Sequence, residues 1–212
     1  MKLFEFFRRE SQSLPVIVVS GLPRSGTSML MKMLEAGGVE VFTDGFRQAD
    51  EDNPRGYFEL EKVKNLQKQT DRSWMRAARG KAVKVISQLL PELPPEHTYK
   101  VLFINRNLHE VIASQNKMLL HRGEKIDPAS DERMCGLFEK HLEKTKAWLE
   151  SSKHFEVLEL QYSQVIANPV LEARRIREFL GQNLDADKMA GAVEASLYRN
   201  RAKNGDTLGI VS

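Results

Sequence analysis

The sequence predicts an α/β domain built on a doubly wound parallel sheet of about five strands, with helices on both faces. Short β-branched runs alternate with longer helical stretches along the chain, which is typical of βα folds. The first run, 16–20, is continuously apolar, as expected of a strand buried in a parallel sheet. The chain has 212 residues, 41% of them hydrophobic, so it can bury a core, and we expect 1–212 to form a single domain.

The predicted elements alternate between strand and helix over most of the chain. Strands are predicted at 16–20, 39–42, 81–86, 99–105 and 155–160, and helices at 26–36, 58–79, 108–120, 132–150, 169–180 and 185–195. Gly37 and Gly38 end the first helix, and Gly181 ends the helix that Pro169 opens. Helical crossovers make the strands parallel, and ligands of such sheets bind at the carboxyl ends of the strands.

Composition excludes several classes of protein. The formal net charge is +3 with both signs interspersed, which is too mild a balance to indicate a nucleic-acid partner. No apolar run approaches the roughly 20 residues of a membrane span, and Glu5 and Arg8 interrupt the N-terminal run where a signal peptide would be apolar. We therefore expect no membrane partner. The single cysteine, Cys135, cannot form an internal disulfide, which fits a reducing compartment, so we expect a cytoplasmic protein.

The segment between the first strand and the first helix predicts an anion cradle. Residues 21–28 read Gly-Leu-Pro-Arg-Ser-Gly-Thr-Ser, which has the glycine spacing of a Walker A loop. Glycines let successive backbone N–H groups turn around one anion, and the helix that begins there adds its N-terminal dipole. Arg24 can add a bidentate cation. Thr27, however, occupies the position of the Walker A lysine, which disfavours an ATPase or a kinase.

This loop resembles the one that holds the 5′-phosphosulfate in sulfotransferases, commonly Pro-Lys-Ser-Gly-Thr-Thr. The resemblance assigns cofactor binding to Pro23, Arg24, Ser25, Gly26, Thr27 and Ser28. It implies a P-loop NTPase-like sulfotransferase fold, with 3′-phosphoadenosine 5′-phosphosulfate (PAPS) as the donor and no metal. The segment Asn-Pro-Arg-Gly-Tyr-Phe-Glu at 53–59 is similar to one that recurs in bacterial sulfotransferase-like proteins.

A second block, 101–114, looks like the 3′-phosphate site of the same family. It consists of a strand, then Arg106, then Ser114 eight positions later. Arg106 would leave the strand as a fixed cation, and Ser114 would lie about two turns along the next helix. The alternatives are a surface arginine paired with Glu110 and a serine on the polar face of a helix.

Two further blocks are similar to the donor site of the family. Residues 160–181 match its Tyr-Glu-Asp-Leu…Pro…Phe-Leu segment in part, with Ser163 and Gln164 replacing Glu-Asp, and the resemblance carries the adenine-contacting tyrosine onto Tyr162. The alternative for this ring is a cap on the edge of the sheet. The basic segment 199–206 resembles the C-terminal loop that clasps the 3′-phosphate, which implies roles for Arg201 and Lys203, unless the segment is a solvated tail.

Sulfuryl transfer needs cations on the transferring group and a base for the proton of the acceptor. Arg24 and Lys84 are the candidate cations, Lys84 lying near the end of the third predicted strand. The histidine that the cytosolic branch uses as base is replaced by Ile86. Glu59 is therefore the candidate base and Asp44 its alternative. A helix N-terminal charge is an equally simple interpretation of Glu59.

We expect a nucleotide donor and a small-molecule acceptor as the partners. The sequence leaves the acceptor and the oligomeric state open. Two other functions also stay open at this stage. One is a P-loop kinase or NTPase for a small molecule. The other is a non-catalytic nucleotide-binding module, which the missing histidine favours.

Overall fold

The computed structural model describes residues 14–44 and 58–194. Over these residues four parallel strands form one sheet. They are β1 (Val16–Gly21), β2 (Ala82–Lys84), β3 (Tyr99–Asn105) and β4 (Phe155–Gln161), in the order β2-β1-β3-β4. Every neighbouring pair is parallel. The predicted parallel α/β sheet is therefore confirmed, with β1 and β3 as the central strands.

The helices connect and cover these strands. They are α1 (Thr27–Ala36), α2 (Glu61–Lys64), α3 (Leu108–His121), α4 (Asp131–Ser151), α5 (Tyr162–Ala167), α6 (Pro169–Leu180) and α7 (Ala186–Gly191). Short 3₁₀ segments lie at Leu66–Lys68, Ser73–Ala78, Ser87–Glu92 and Pro128–Ser130. Helix α6 begins at the predicted proline, and Gly181 ends it in the left-handed conformation with φ of 66°.

The alternation of side chains along β1 creates two cores. Ile17 and Val19 pack on one face of the sheet with residues of α1, α6 and α7. Val16 and Val18 pack on the other face with the 3₁₀ segments and with Leu149 of α4. All four of these β1 side chains are fully buried. Because both faces are covered, the continuous apolar run of β1 is explained.

The segment 39–42 was predicted as a strand and makes only an isolated bridge. Val41 pairs with Ala82, and the N–H of Ala82 donates to the carbonyl of Glu40 at 2.9 Å. The N–H of Phe42 donates to the carbonyl of Ala82 at 2.8 Å. Since β2 has only three residues, it gives this neighbour little length to pair with. The described sheet thus has four strands rather than about five.

The predicted helix 58–79 is broken into short pieces. Asp71 accepts a hydrogen bond from the N–H of Ser73 at 2.9 Å through Oδ1. Arg72 donates to the carbonyl of Leu66 at 3.1 Å. These side chain–backbone bonds compete with helical backbone bonds, which the apolar periodicity does not reveal.

The structure also bears on membrane insertion. Over 14–44 and 58–194, every helix is too short or too polar to cross a lipid bilayer.

Candidate functional site

The loop between β1 and α1 packs tightly against the end of β3 and against α5. A Cβ atom at Gly26, whose φ is 111°, would lie 2.6 Å from Cδ2 of Tyr162. A Cβ atom at Gly21 would lie 2.6 Å from the carbonyl oxygen of Ile104. Only glycine fits these two positions, so the two predicted glycines shape the loop. Thr27 then begins α1, with its side chain buried.

Two residues of the loop, Ser25 and Arg24, have features expected of an anion-binding site. Ser25 is 1% exposed, and its Oγ has no hydrogen-bond partner among the described residues. A buried hydroxyl without a partner is costly, and an anion in the loop would supply the missing acceptor. Arg24 has φ of 75°, one of two positive values at non-glycine residues in the described chain. Such backbone strain clusters at functional sites.

Arg24, Arg106 and Ser114 come together beside this loop. Nε of Arg24 donates to Oγ of Ser114 at 3.0 Å. Nη1 of Arg106 donates to the carbonyl of Arg24 at 3.2 Å. Gln115, which the sequence did not single out, donates from Nε2 to the carbonyl of Pro23 at 3.2 Å. Helix α3 therefore holds the loop through Ser114 and Gln115, and Arg106, which precedes this helix, adds a third contact.

Arg106 is held on several sides. Its Nε lies 2.9 Å from Oε2 of Glu110, and these side chains are 8% and 4% exposed. Its Cζ lies 4.2 Å from the centroid of the Tyr162 ring. The pair with Glu110 is thus present but buried, unlike the surface pair that the sequence left as an alternative. Burial raises the pKa of Tyr162 above its ordinary value, so this phenol stays neutral.

Lys84 joins the loop to the candidate base. At the end of β2, its Nζ lies 3.5 Å from Oγ of Ser28 and 3.9 Å from Oε1 of Glu59. The side chains of Lys84 and Glu59 are 9% and 19% exposed. The structure therefore brings the candidate base, the candidate cation and the loop into one group, as the sequence predicted for the carboxyl edge of the sheet.

A second lysine, which sequence reasoning missed, lies on the other oxygen of Glu59. Nζ of Lys64 is 2.9 Å from Oε2 of Glu59 and 3.3 Å from Oε2 of Glu61. The hydrogen bond with Glu59 raises the pKa of Lys64 above its ordinary value. Glu59 lies before α2 and Lys64 at its end, so helical spacing gave no signal of this pair.

Asp44, the alternative base, is bound to the backbone of α2. Its Oδ2 accepts from the N–H of Glu61 at 2.5 Å. The neighbouring Thr43 donates from Oγ1 to the carbonyl of Glu59 at 2.7 Å. These bonds attach the segment after residue 42 to the start of α2 and fix the backbone that carries Glu59.

The remaining predicted residues lie elsewhere. Arg201 and Lys203 lie outside the described residues. Ile86, which replaces the expected histidine, packs against the apolar core. The described part of the chain contains no cluster of three or more His, Cys, Asp or Glu side chains that could hold a metal ion.

Comparison with known proteins gives one family and several solved structures. The family model described as "Sulfotransferase domain" matches residues 14–207. The mouse sulfotransferase SULT7A1, solved in complex with PAP, is 17% identical with a TM-score of 0.53, covering 89% of this chain and 68% of its own. The sulfotransferase domain of the Synechococcus PCC 7002 olefin synthase is 15% identical with a TM-score of 0.51, covering 90% and 81%. At these identities the structures show a shared fold.

Proposed function

Since this chain belongs to the sulfotransferase family, we propose that it transfers a sulfuryl group from PAPS to a hydroxyl or amine of a small acceptor. The observation that carries the proposal is the convergence of Arg24, Arg106 and Ser114 beside the glycine loop. A second anion site next to a phosphate cradle suits a donor with two separate phosphate groups. ATP has no 3′-phosphate to occupy it.

In the proposed complex, the donor lies across the carboxyl edge of the sheet. The loop amides, the Ser25 hydroxyl and the N-terminus of α1 bind the 5′-phosphosulfate. Arg106 and Ser114 bind the 3′-phosphate, with Arg201 and Lys203 as further contacts. Tyr162 contributes to the adenine side of the site. The guanidinium of Arg106 lies over its ring, 4.2 Å from the centroid, so the two residues form one surface.

The proposed transfer is in line. The acceptor oxygen or nitrogen forms a bond to sulfur while the bond from sulfur to the 5′-phosphate oxygen breaks, and the electron pair leaves with the bisphosphate PAP. Glu59 takes the acceptor proton. Lys84, close to both Glu59 and Ser28, stabilises the charge on the transferring group, and Arg24 stabilises the departing phosphate.

Donor binding is tested without knowing the acceptor. Thermal stabilisation and titration calorimetry with PAP, AMP and ATP–magnesium, each with and without EDTA, compare the three nucleotides. We expect PAP to bind at least 10-fold more tightly than AMP. The affinity for PAP should be the same with and without EDTA. A preference for ATP with magnesium would instead support the small-molecule kinase or NTPase.

Catalysis is tested with ³⁵S-labelled PAPS and a panel of acceptors comprising water, 2-naphthol and ethanolamine. We expect Glu59→Gln to lose at least 100-fold in turnover while PAP affinity stays within about 3-fold of the wild type, since a lost general base costs about 10²–10⁴ in rate. Full turnover by this variant would remove Glu59 as the base, and Asp44→Asn would then be tested in the same way.

The alternative of a non-catalytic nucleotide-binding module rests on one specific observation. Ile86 replaces the histidine of the cytosolic branch and packs, partly buried, against the apolar core. This alternative predicts PAP binding by the wild type with no labelled product from any member of the panel.

A further inference from the structure

We infer that Lys64 is a positioning residue of the active site, which holds the Glu59 carboxylate in place through the oxygen opposite Lys84. This inference rests on the proposed function, in which Glu59 takes the acceptor proton. Lys64 is not a catalytic residue in this scheme, since it acts through Glu59.

The geometry gives each carboxylate oxygen a different ammonium group. Oε2 of Glu59 lies 2.9 Å from Nζ of Lys64, within hydrogen-bond distance, and Oε1 lies 3.9 Å from Nζ of Lys84. The contact to Lys64 is the shorter of the two. At this shorter separation, the attraction between Lys64 and the carboxylate is the stronger of the two.

Lys84 has a second task that Lys64 does not share. It also lies 3.5 Å from Ser28 in the anion loop. A bound phosphosulfate would attract the Lys84 ammonium toward the loop and away from Glu59. Glu59 is 19% exposed, and its carboxylate is best oriented by a charged partner that stays beside it. Lys64 supplies that partner while Lys84 faces the donor.

The backbone around this pair is fixed from outside α2. Thr43 binds the carbonyl of Glu59, and Asp44 binds the N–H of Glu61 at the start of the helix that ends with Lys64. Lys84 on β2 and Glu61 on α2 are charged groups in contact with the pair, and the Asp44 carboxylate lies on the backbone of Glu61 beside it. Glu61 lies 3.3 Å from Lys64 and helps to direct it.

Lys64 itself is 46% exposed, so its ammonium keeps much of its hydration. Such a pair contributes little to folding stability. Its raised pKa means that Lys64 carries its charge over the whole range in which the enzyme would be assayed. The effect of removing Lys64 should appear in kcat rather than in the stability of the fold.

The test compares Lys64→Gln, Lys64→Arg and the matched control Lys62→Gln, an exposed lysine of the same helix. The readouts are kcat and the KM for labelled PAPS, with the panel of water, 2-naphthol and ethanolamine. With Lys64→Gln, we expect kcat to fall about 10-fold while the KM for PAPS is unchanged, because the carboxylate is no longer held in place for the acceptor proton. Lys64→Arg and Lys62→Gln should follow the wild type.

The outcomes separate the two proposals. A kcat in Lys64→Gln equal to that of the wild type, while Glu59→Gln is inactive, overturns the role of Lys64 and leaves the proposed function standing. Full turnover by Glu59→Gln overturns the base and the Lys64 inference together. A wild type that transfers label to no member of the panel contradicts the proposed catalysis and, with it, this inference. PAP affinity and melting temperature should be unchanged in all three lysine variants.

Discussion

Arg24 and Ser114, ninety positions apart in the chain, are joined by a hydrogen bond of 3.0 Å from Nε to Oγ. The bond links the loop after β1 to the middle of α3. It also joins a candidate ligand of the 5′-phosphosulfate to a candidate ligand of the 3′-phosphate. The two halves of the proposed donor site are thus in contact, and changes on either side should affect binding of the whole nucleotide.

Ser114→Ala removes the hydroxyl that Arg24 contacts and that we assign to the 3′-phosphate. We expect PAP affinity to fall about 10-fold or somewhat more, since one hydrogen bond to a charged group is worth about 1.5 kcal/mol or somewhat more. AMP, which lacks the 3′-phosphate, should lose less. Calorimetry with both nucleotides measures the difference, and Ser151→Ala, an exposed serine at the end of α4, is the control. Equal losses for PAP and AMP would argue against the 3′-phosphate role.

Arg106 should be the main source of the preference for PAP over AMP. Replacing it alone would leave Glu110 buried at 4% exposure without this partner, which is costly. We therefore expect the clearest result from the double variant Arg106→Gln/Glu110→Gln, which removes both charges. Its PAP affinity should fall by about 10- to 100-fold, toward that of AMP.

Arg106→Lys is the matched partner of that experiment. It keeps the charge but loses the planar group that lies over Tyr162 and donates to the Arg24 carbonyl. An intermediate affinity is expected. Wild-type PAP affinity in the double variant would refute the assignment of Arg106 to the 3′-phosphate.

Gly26→Ala tests the shape of the loop. The new Cβ would lie 2.6 Å from Tyr162, and φ of 111° is unfavourable for alanine. We expect a loss of about 2 kcal/mol or more in the free energy of unfolding, together with weaker PAP binding. Gly136→Ala is the matched control, since it lies in α4 with open space around its Cβ position, and it should stabilise by up to about 1 kcal/mol. Urea unfolding measures both variants, and a neutral Gly26→Ala would contradict the tight packing of the loop.

The sequence predicted the parts of the structure that depend on local pattern. The apolar run of β1, the proline that begins α6 and the glycines of the loop each have a direct physical cause, and the structure confirms these elements. The prediction from sequence was wrong at 58–79, where Arg72 and Asp71 bind backbone groups and divide the predicted helix into short pieces. No periodicity signals such bonds.

In the candidate site too, local patterns predicted some residues, and other residues were found only in the structure. Arg24, Arg106 and Ser114 were predicted from motifs, and the fold brings them together. Lys64 and Gln115 were not predicted, because each makes a tertiary contact that no motif or residue spacing in the sequence indicates. Residues that belong to a sequence motif were thus easier to predict than residues that enter the group through tertiary contacts alone.

The stability of the fold should fall in mild acid because of His97. This side chain is 7% exposed, and its Nδ1 accepts hydrogen bonds from Arg79 at 3.0 and 3.3 Å. Burial, with Arg79 as a second cause, lowers the pKa of His97 below its ordinary value of 6.5. The unfolded chain therefore binds a proton at a pH where the folded chain does not. This contribution to stability is complete above pH 6.5 and is lost as the pH falls below it toward the lower folded-state value.

His97→Asn, which cannot take up that proton, should lose less stability than the wild type between pH 7.5 and pH 5.5. Urea unfolding at the two pH values measures the difference, with His121→Asn at the exposed end of α3 as the control. His141, whose pKa burial also lowers, is present in all three proteins and contributes the same sign to each. An equal loss of stability in His97→Asn and the wild type would show that His97 does not couple folding to pH.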